Sequence, residues 1–234
     1  MGDLGQAGSA ALQLILEADA GLWSVVALSL RVSLAATAIA AAIGLPLGAL
    51  IALKDFPGRQ VAIVVLNACM GLPPVVVGLV VYVMLSRAGP LGPLGLLFTP
   101  GAMIVAQTVL ILPIVAAVSR QIVGDAWGEY REQLTSLGAG PVQAAITLVY
   151  DCRFSLTTAV LAGFGRAAAE VGAVLVVGGN IDGVTRVMTT SIALETSKGD
   201  LPQALGLGFV LMAIVLAVNA VALALRNAAA RQGA

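Results

Sequence analysis

The chain has 234 residues, 59% of them apolar and 10% charged, with 12 Lys and Arg balanced against 12 Asp and Glu. A soluble domain dresses its surface with about 25% charged residues, so most of this surface has to face lipid, and the balanced charge gives no bulk attraction to nucleic acid. The complete lack of histidine excludes His-dependent nucleophilic triads, His metal sites and HExxH proteases.

The first twenty residues carry Asp3, Glu17 and Asp19 but no Lys or Arg. A cleavable signal peptide needs a basic start, so none is expected. A membrane helix takes about 20 mostly apolar residues, and five windows qualify: 24–52, 61–85, 101–120, 156–179 and 203–225. With no linker, composition shift or repeat, the expectation is an all-α membrane protein: one domain over 1–234 with about five spans. The second and fifth windows are free of charge. The first holds Arg31, but Val32 to Leu53 alone is long enough to cross, which leaves Arg31 at the head-group edge. Within it, Gly44 and Gly48 let another helix approach closely, and Pro46 between them makes a bend an equal option. The fourth window contains Arg166 and Glu170 and is the least apolar. Cys69 lies in an apolar run and Cys152 in a polar loop, so neither a disulfide framework nor a thiolate metal cluster follows.

Lys and Arg in the connecting segments set the orientation. One side receives Lys54, Arg59, Arg120, Arg131, Arg153, Arg226 and Arg231; the other receives Arg87, Arg186 and Lys198. This places the N-terminus outside, with the 125–153 loop and the C-terminus in the cytoplasm of a multi-pass cell-membrane protein.

Four places carry candidate chemistry. Pro73 and Pro74 lie mid-window between Gly71 and Gly78. Each proline removes a backbone donor, and carbonyls freed in hydrocarbon cost several kcal/mol unless protein or water meets them. Residues 71 to 78 therefore line a substrate path or gate, or else form a packing kink. Arg166 and Glu170, four apart, would stand about 6 Å apart on one helix face. A lone charge in mid-membrane costs roughly 2.5 to 3.5 kcal/mol. They are an ion pair fixing helix packing, or Arg166 meets an oxyanion. The segment from Asn180 to Asp200 offers Arg186, Thr189, Thr190 and Ser191 as outer-face contacts for an oxyanion or a docking protein. Asp182, Glu195 and Asp200 cancel its charge, and a solvated short helix is the plain alternative. Finally, Glu129 to Leu137 favours a helix, Gly138, Gly140 and Pro141 break it, and Val142, Ala145, Ile146 and Val149 start a second at helical spacing. That pattern suits docking into another protein, or an ordinary amphipathic interfacial loop.

Here the sequence resembles a known family. Glu132-Gln-Leu-Thr-Ser-Leu-Gly-Ala-Gly-Pro is similar to the EAA loop of ABC importer permeases, an acidic residue, two small residues and a glycine. The match covers Glu132 and Gly138, with Leu137 and Ala139 fitting; it departs at Gln133 and Leu134, where the family often has two alanines. Gly163-Phe-Gly-Arg-Ala-Ala-Ala-Glu-Val-Gly-Ala and Met70-Gly-Leu-Pro-Pro-Val-Val-Val-Gly resemble stretches of molybdate- and tungstate-type permeases. Thr185-Arg-Val-Met-Thr-Thr-Ser-Ile-Ala-Leu-Glu-Thr-Ser-Lys-Gly-Asp looks like the tungstate subgroup. The resemblance implies a type I importer core in which Glu132, Leu137, Gly138 and Ala139 couple to an ATPase. It further implies a homodimer on two cytoplasmic ABC ATPases, which hold ATP and Mg, fed by an extracytoplasmic binding protein. The permease would then hold no cofactor and do no chemistry. A self-sufficient channel or ion-coupled carrier would show buried carboxylates or rings of charge, for which Glu170 alone is a candidate. An intramembrane enzyme lacks the histidines or paired carboxylates it would need.

Overall fold

The computed structural model describes residues 20–232, with side chains placed for residues 21–228. The acidic N-terminal stretch with Asp3, Glu17 and Asp19, and the side chain of Arg231, lie outside what is described. Among the described residues the structure is all-α. Its helices are α1 (Ala20–Leu53), α2 (Arg59–Cys69), α3 (Pro74–Leu85), α4 (Pro100–Ser136), α5 (Pro141–Asp151), α6 (Arg153–Ala168), α7 (Gly172–Gly178), α8 (Met188–Lys198) and α9 (Leu201–Gln232), with a 3-10 turn at Gly92–Leu94.

Three helices are long and apolar enough to cross a membrane: Gly21–Leu53, Pro100–Ser136 and Leu201–Ala228. Two further candidates are bent pairs, α2 with α3 at 101° and α5 with α6 at 81°, giving up to five spans if each pair counts as one. Large apolar side chains stand open to the surroundings on α9, among them Phe209, Met212, Leu216, Val221 and Leu225, and on α3, among them Val76, Leu79 and Val83. So much exposed aliphatic surface is untenable in water and natural in hydrocarbon. The chain is a multi-pass membrane protein.

The span expected over 61–85, interrupted at its prolines, is two helices, and the reason lies in where the prolines fall. Pro74 is the first residue of α3 and Pro73 its N-cap, with φ −64° and ψ 121°. A proline at the first helical position gives up an N–H that has no intrahelical partner there, and it pushes the preceding residue into extended backbone. The prolines therefore start a helix rather than kink one. At the end of α2 the amides of Met70, Gly71 and Leu72 bond the carbonyls of Asn67, Ala68 and Cys69 at 3.1–3.3 Å, so these carbonyls are satisfied by a tightened turn. The window at 156–179 also breaks: α6 stops at Ala168, and Glu170 stands in the gap before α7.

The residues gather into two compact units. The first takes residues up to 35, 73–107 and 168–225; the second takes 36–72, 108–167 and 226 onward. In the first, Leu22 and Val26 of α1 bury against Met188 of α8 and Leu207 and Val210 of α9. In the second, Ala49, Ala52 and Leu53 of α1, Val123 of α4, Ala144, Ala145 and Leu148 of α5 and Leu156 of α6 form one core. The small-residue pair in α1 serves the second core. A β-carbon on Gly44 would lie 3.1 Å from Val115, and one on Gly48 would collide with the carbonyl of Ala116 and come within 2.8 Å of the Ser119 side chain. Ser119 donates from Oγ to the Leu45 carbonyl at 2.9 Å across the same contact. α1 runs through Pro46 without interruption. At its C-terminus Arg59 donates from Nε to the Ile51 carbonyl and from Nη2 to the Ala52 carbonyl, both at 2.9 Å, closing the turn into α2.

Candidate functional site

The first unit contains, side by side, two helices that each begin after a break. α3 begins after the 70–73 break and α7 after the 169–171 break, and the two meet backbone to backbone. A β-carbon on Gly78 would stand 2.8 Å from Cα of Ala173 and 3.2 Å from its carbonyl oxygen; one on Gly172 would stand 2.8 Å from Val75 Cγ2. Gly78 is thus required by its close neighbour. Gly71 is not: a β-carbon there meets only the Ala68 carbonyl, at an ordinary 3.6 Å. Paired, interrupted helices are where membrane transporters place substrate sites, because a broken helix is tolerated where it lines a cavity or is buried in protein.

Glu170 lies at the second break, 3% exposed. Its Oε1 accepts from the Ala173 amide at 3.0 Å, satisfying one of the orphan donors at the start of α7. Its carbonyl accepts from Thr189 Oγ1 at 2.8 Å. Arg166 sits in the last turn of α6 and is half-buried. α6 ends between them, so Glu170 stands beyond the helix that carries Arg166. The structure gives Glu170 a holding role at the start of α7.

Of the hydroxyls expected at an outer face, those of Thr189 and Thr190 are bonded inside the fold. Thr189, Thr190 and Ser191 are all buried. Thr190 Oγ1 accepts from the Val187 amide at 3.0 Å, which caps α8. Arg186 alone of that set is partly open, and its Nη1 pairs with Asp182 at 2.9 Å. A residue that spacing did not reveal is Thr185, buried, whose Oγ1 donates to the Gly178 carbonyl at 2.6 Å and accepts from the Ile181 amide at 2.9 Å.

In the second unit, α4 ends in a turn that explains three residues at once. The Ala139 amide bonds the Leu134 carbonyl and the Gly138 amide bonds the Thr135 carbonyl, both at 3.0 Å, and Gly138 has φ +74°. This is the Schellman arrangement, in which the left-handed residue is nearly always glycine. Gly140 then caps α5 and Pro141 opens it. The turn pushes Leu137 out to 82% exposure, while Val142, Ile146 and Tyr150 form an open apolar stripe on α5. The opposite side of α5, through Ala144, Ala145 and Leu148, is buried. Helix, turn and second helix stand where the sequence put them. Arg153, next in line, stacks on Tyr150 at 4.3 Å and Phe154 at 4.5 Å. Among the described residues no group of three or more Cys, Asp or Glu is placed to hold a metal ion.

This combination of interrupted helices and a protruding turn can be set beside known proteins. The chain is 44% identical over 211 residues, 88% of its length and 91% of the relative's, to a probable anion ABC transporter permease protein of Haloferax volcanii. The chain belongs to the ABC transporter permeases. A tungstate uptake system permease protein, TupB, of Peptoclostridium acidaminophilum is 43% identical over 218 residues, covering 93% of this permease and 96% of that one. A molybdenum transport system permease protein, ModB, of Escherichia coli is 29% identical over 189 residues, 76% of this permease and 82% of that one. No protein-family model matches this permease. The relatives are transport subunits and not enzymes, and ABC permeases as a family work with an ATPase and a substrate-binding protein.

Proposed function

We propose that this permease is the membrane-spanning subunit of an ATP-driven importer for a tetrahedral oxyanion, tungstate first. The observation that carries the substrate is the 43% identity to a tungstate uptake permease along 93% of the chain. Molybdate is the second reading, favoured by the more distant molybdenum permease. The permease works as a homodimer. ATP and Mg bind to separate cytoplasmic ATPase subunits, and an external binding protein delivers the anion.

Within this reading, the turn at Leu137, Gly138 and Ala139, with Glu132 a turn and a half before it, docks into the ATPase. Support comes from the exposure of Leu137 and the open stripe on α5: apolar groups are costly at a cytoplasmic surface unless a partner covers them. Gly71, Pro73, Pro74 and Gly78 belong to the translocation path, with Gly78 setting the approach of α3 to α7. Orientation rests on the connecting segments: Lys54, Arg59, Arg120, Arg131, Arg153, Arg226 and Arg231 fall on one side and Arg87, Arg186 and Lys198 on the other, and the positive-inside rule puts the larger set in the cytoplasm.

The test is uptake of radiolabelled tungstate into proteoliposomes. Permease reconstituted with its ATPase and binding protein accumulates tungstate only with ATP. Accumulation by the permease alone would overturn the reading. Competition of molybdate against tungstate for the purified binding protein decides between the two anions.

A further inference from the structure

We infer that Arg31 and Arg186 together form a staging site for the oxyanion in the first unit; this rests on the importer reading above. Arg31 lies well inside α1 and Arg186 just ahead of α8, far apart in sequence, yet both line one cavity of about 350 Å³. Ser24 and Leu28 of α1, Pro100 at the start of α4 and Gly183 complete its wall.

Three observations give the cavity its chemistry. Its lining holds two guanidinium groups and no carboxylate. Asp182, which pairs with Nη1 of Arg186, is 79% exposed and is not part of this wall. The adjoining cavity shares Arg186 and Val25 but includes Asp182 and Glu195. Arg186 therefore divides a cationic chamber from a mixed one. Nε of Arg186 is buried and has no acceptor among the described residues. A buried donor left unmet is costly, and an anion oxygen is the natural acceptor for a planar guanidinium fork.

The two arginines are also held in place by a built junction. Ser29, two residues before Arg31, accepts at Oγ from the amide of Met188, two residues after Arg186, at 2.8 Å. The same hydroxyl donates to the Val25 carbonyl at 2.7 Å. Beneath it Leu22 and Val26 pack on Met188, Leu207 and Val210. The cavity is thus a fixed juncture of α1 and the segment leading into α8. Its cations are partly open to solvent, with Arg31 exposed. It concentrates an anion without trapping it, as an importer that must release cargo requires.

The test uses the complete transporter in nanodiscs, with Cys69 and Cys152 replaced by serine and Val184→Cys as a probe in the cavity wall. Modification rates are compared for a sulfonate-bearing and a trimethylammonium-bearing methanethiosulfonate, each relative to its rate on a free thiol. A cationic chamber favours the anionic reagent by about tenfold or more. Arg31→Gln and Arg186→Gln each lower that preference, Arg31→Lys retains it, and millimolar tungstate slows the anionic reagent. Arg31→Gln, at an exposed position, keeps the test decisive even where Arg186→Gln fails to fold. No charge preference, a preference that survives Arg31→Gln, or no slowing by tungstate would overturn the site. A parent transporter that labels as expected but accumulates no tungstate sinks the importer reading and leaves an anion-attracting cavity standing.

Discussion

Gly78 and Ala173 bring α3 and α7 so close that a β-carbon on the glycine would stand 2.8 Å from the Ala173 Cα. The neighbour is backbone, so it cannot swing aside as a side-chain tip would. Gly78→Val should therefore cost about 1–3 kcal/mol of stability through overpacking. Gly208→Ala, where a β-carbon meets nothing within 4 Å, should be neutral or slightly stabilising. Thermal unfolding of the two detergent-purified variants checks this, and equal melting points would refute the close-contact account.

The same argument ranks two positions on α1. At Gly48 an added methyl meets the Ala116 carbonyl and the Arg120 amide, whereas at Gly44 the tightest neighbour is a Val115 methyl at 3.1 Å. Gly48→Ala should lower stability well beyond Gly44→Ala, by about 1 kcal/mol or more. The reverse order in a melting experiment would show that α1 and α4 can slide apart at no cost.

The coupling proposal is best tested at Leu137 rather than Gly138. Gly138 holds φ +74°, so any L side chain there strains the turn by about 1–2 kcal/mol and mixes folding with coupling. Leu137 is 82% exposed, and surface substitutions usually change stability by no more than about 0.5 kcal/mol. Leu137→Asp should leave the melting point of the isolated permease intact while ATP-driven uptake falls at least about tenfold, or about 1.4 kcal/mol of lost coupling. Full uptake by Leu137→Asp would remove the turn from the ATPase contact.

Glu170 separates shape from charge. Glu170→Gln keeps an oxygen for the Ala173 amide, while Glu170→Leu leaves that buried donor unmet at about 1–3 kcal/mol. The leucine variant should be recovered in lower yield and melt earlier; the glutamine variant should stay near the parent. Glutamine as damaging as leucine would mean that the negative charge matters more than the cap.

How much of this was legible beforehand depended on whether the signal was local. The turn at 137–141 was readable because two glycines and a proline dictate backbone angles on their own. Long apolar runs announced a membrane protein, but they carry no information on continuity. The 61–85 window therefore read as one span disturbed at its prolines, without showing that Pro73 and Pro74 cap and open a new helix. Thr189 and Thr190 read as surface hydroxyls because composition cannot show that the Glu170 carbonyl and the Val187 amide claim them. That Arg31 and Arg186 line one cavity depends on tertiary packing, which local pattern does not encode.

α4 is continuous from Pro100 to Ser136, and its 37 residues at 1.5 Å each make a rod of about 55 Å. Hydrocarbon accounts for only about 30 Å of that length. The helix is thus longer than one crossing needs, and Leu137 follows directly on its last turn. Under the proposed docking, a push at Leu137 acts on the same helix that begins at Pro100, with Pro113 as the one interior position lacking a backbone donor.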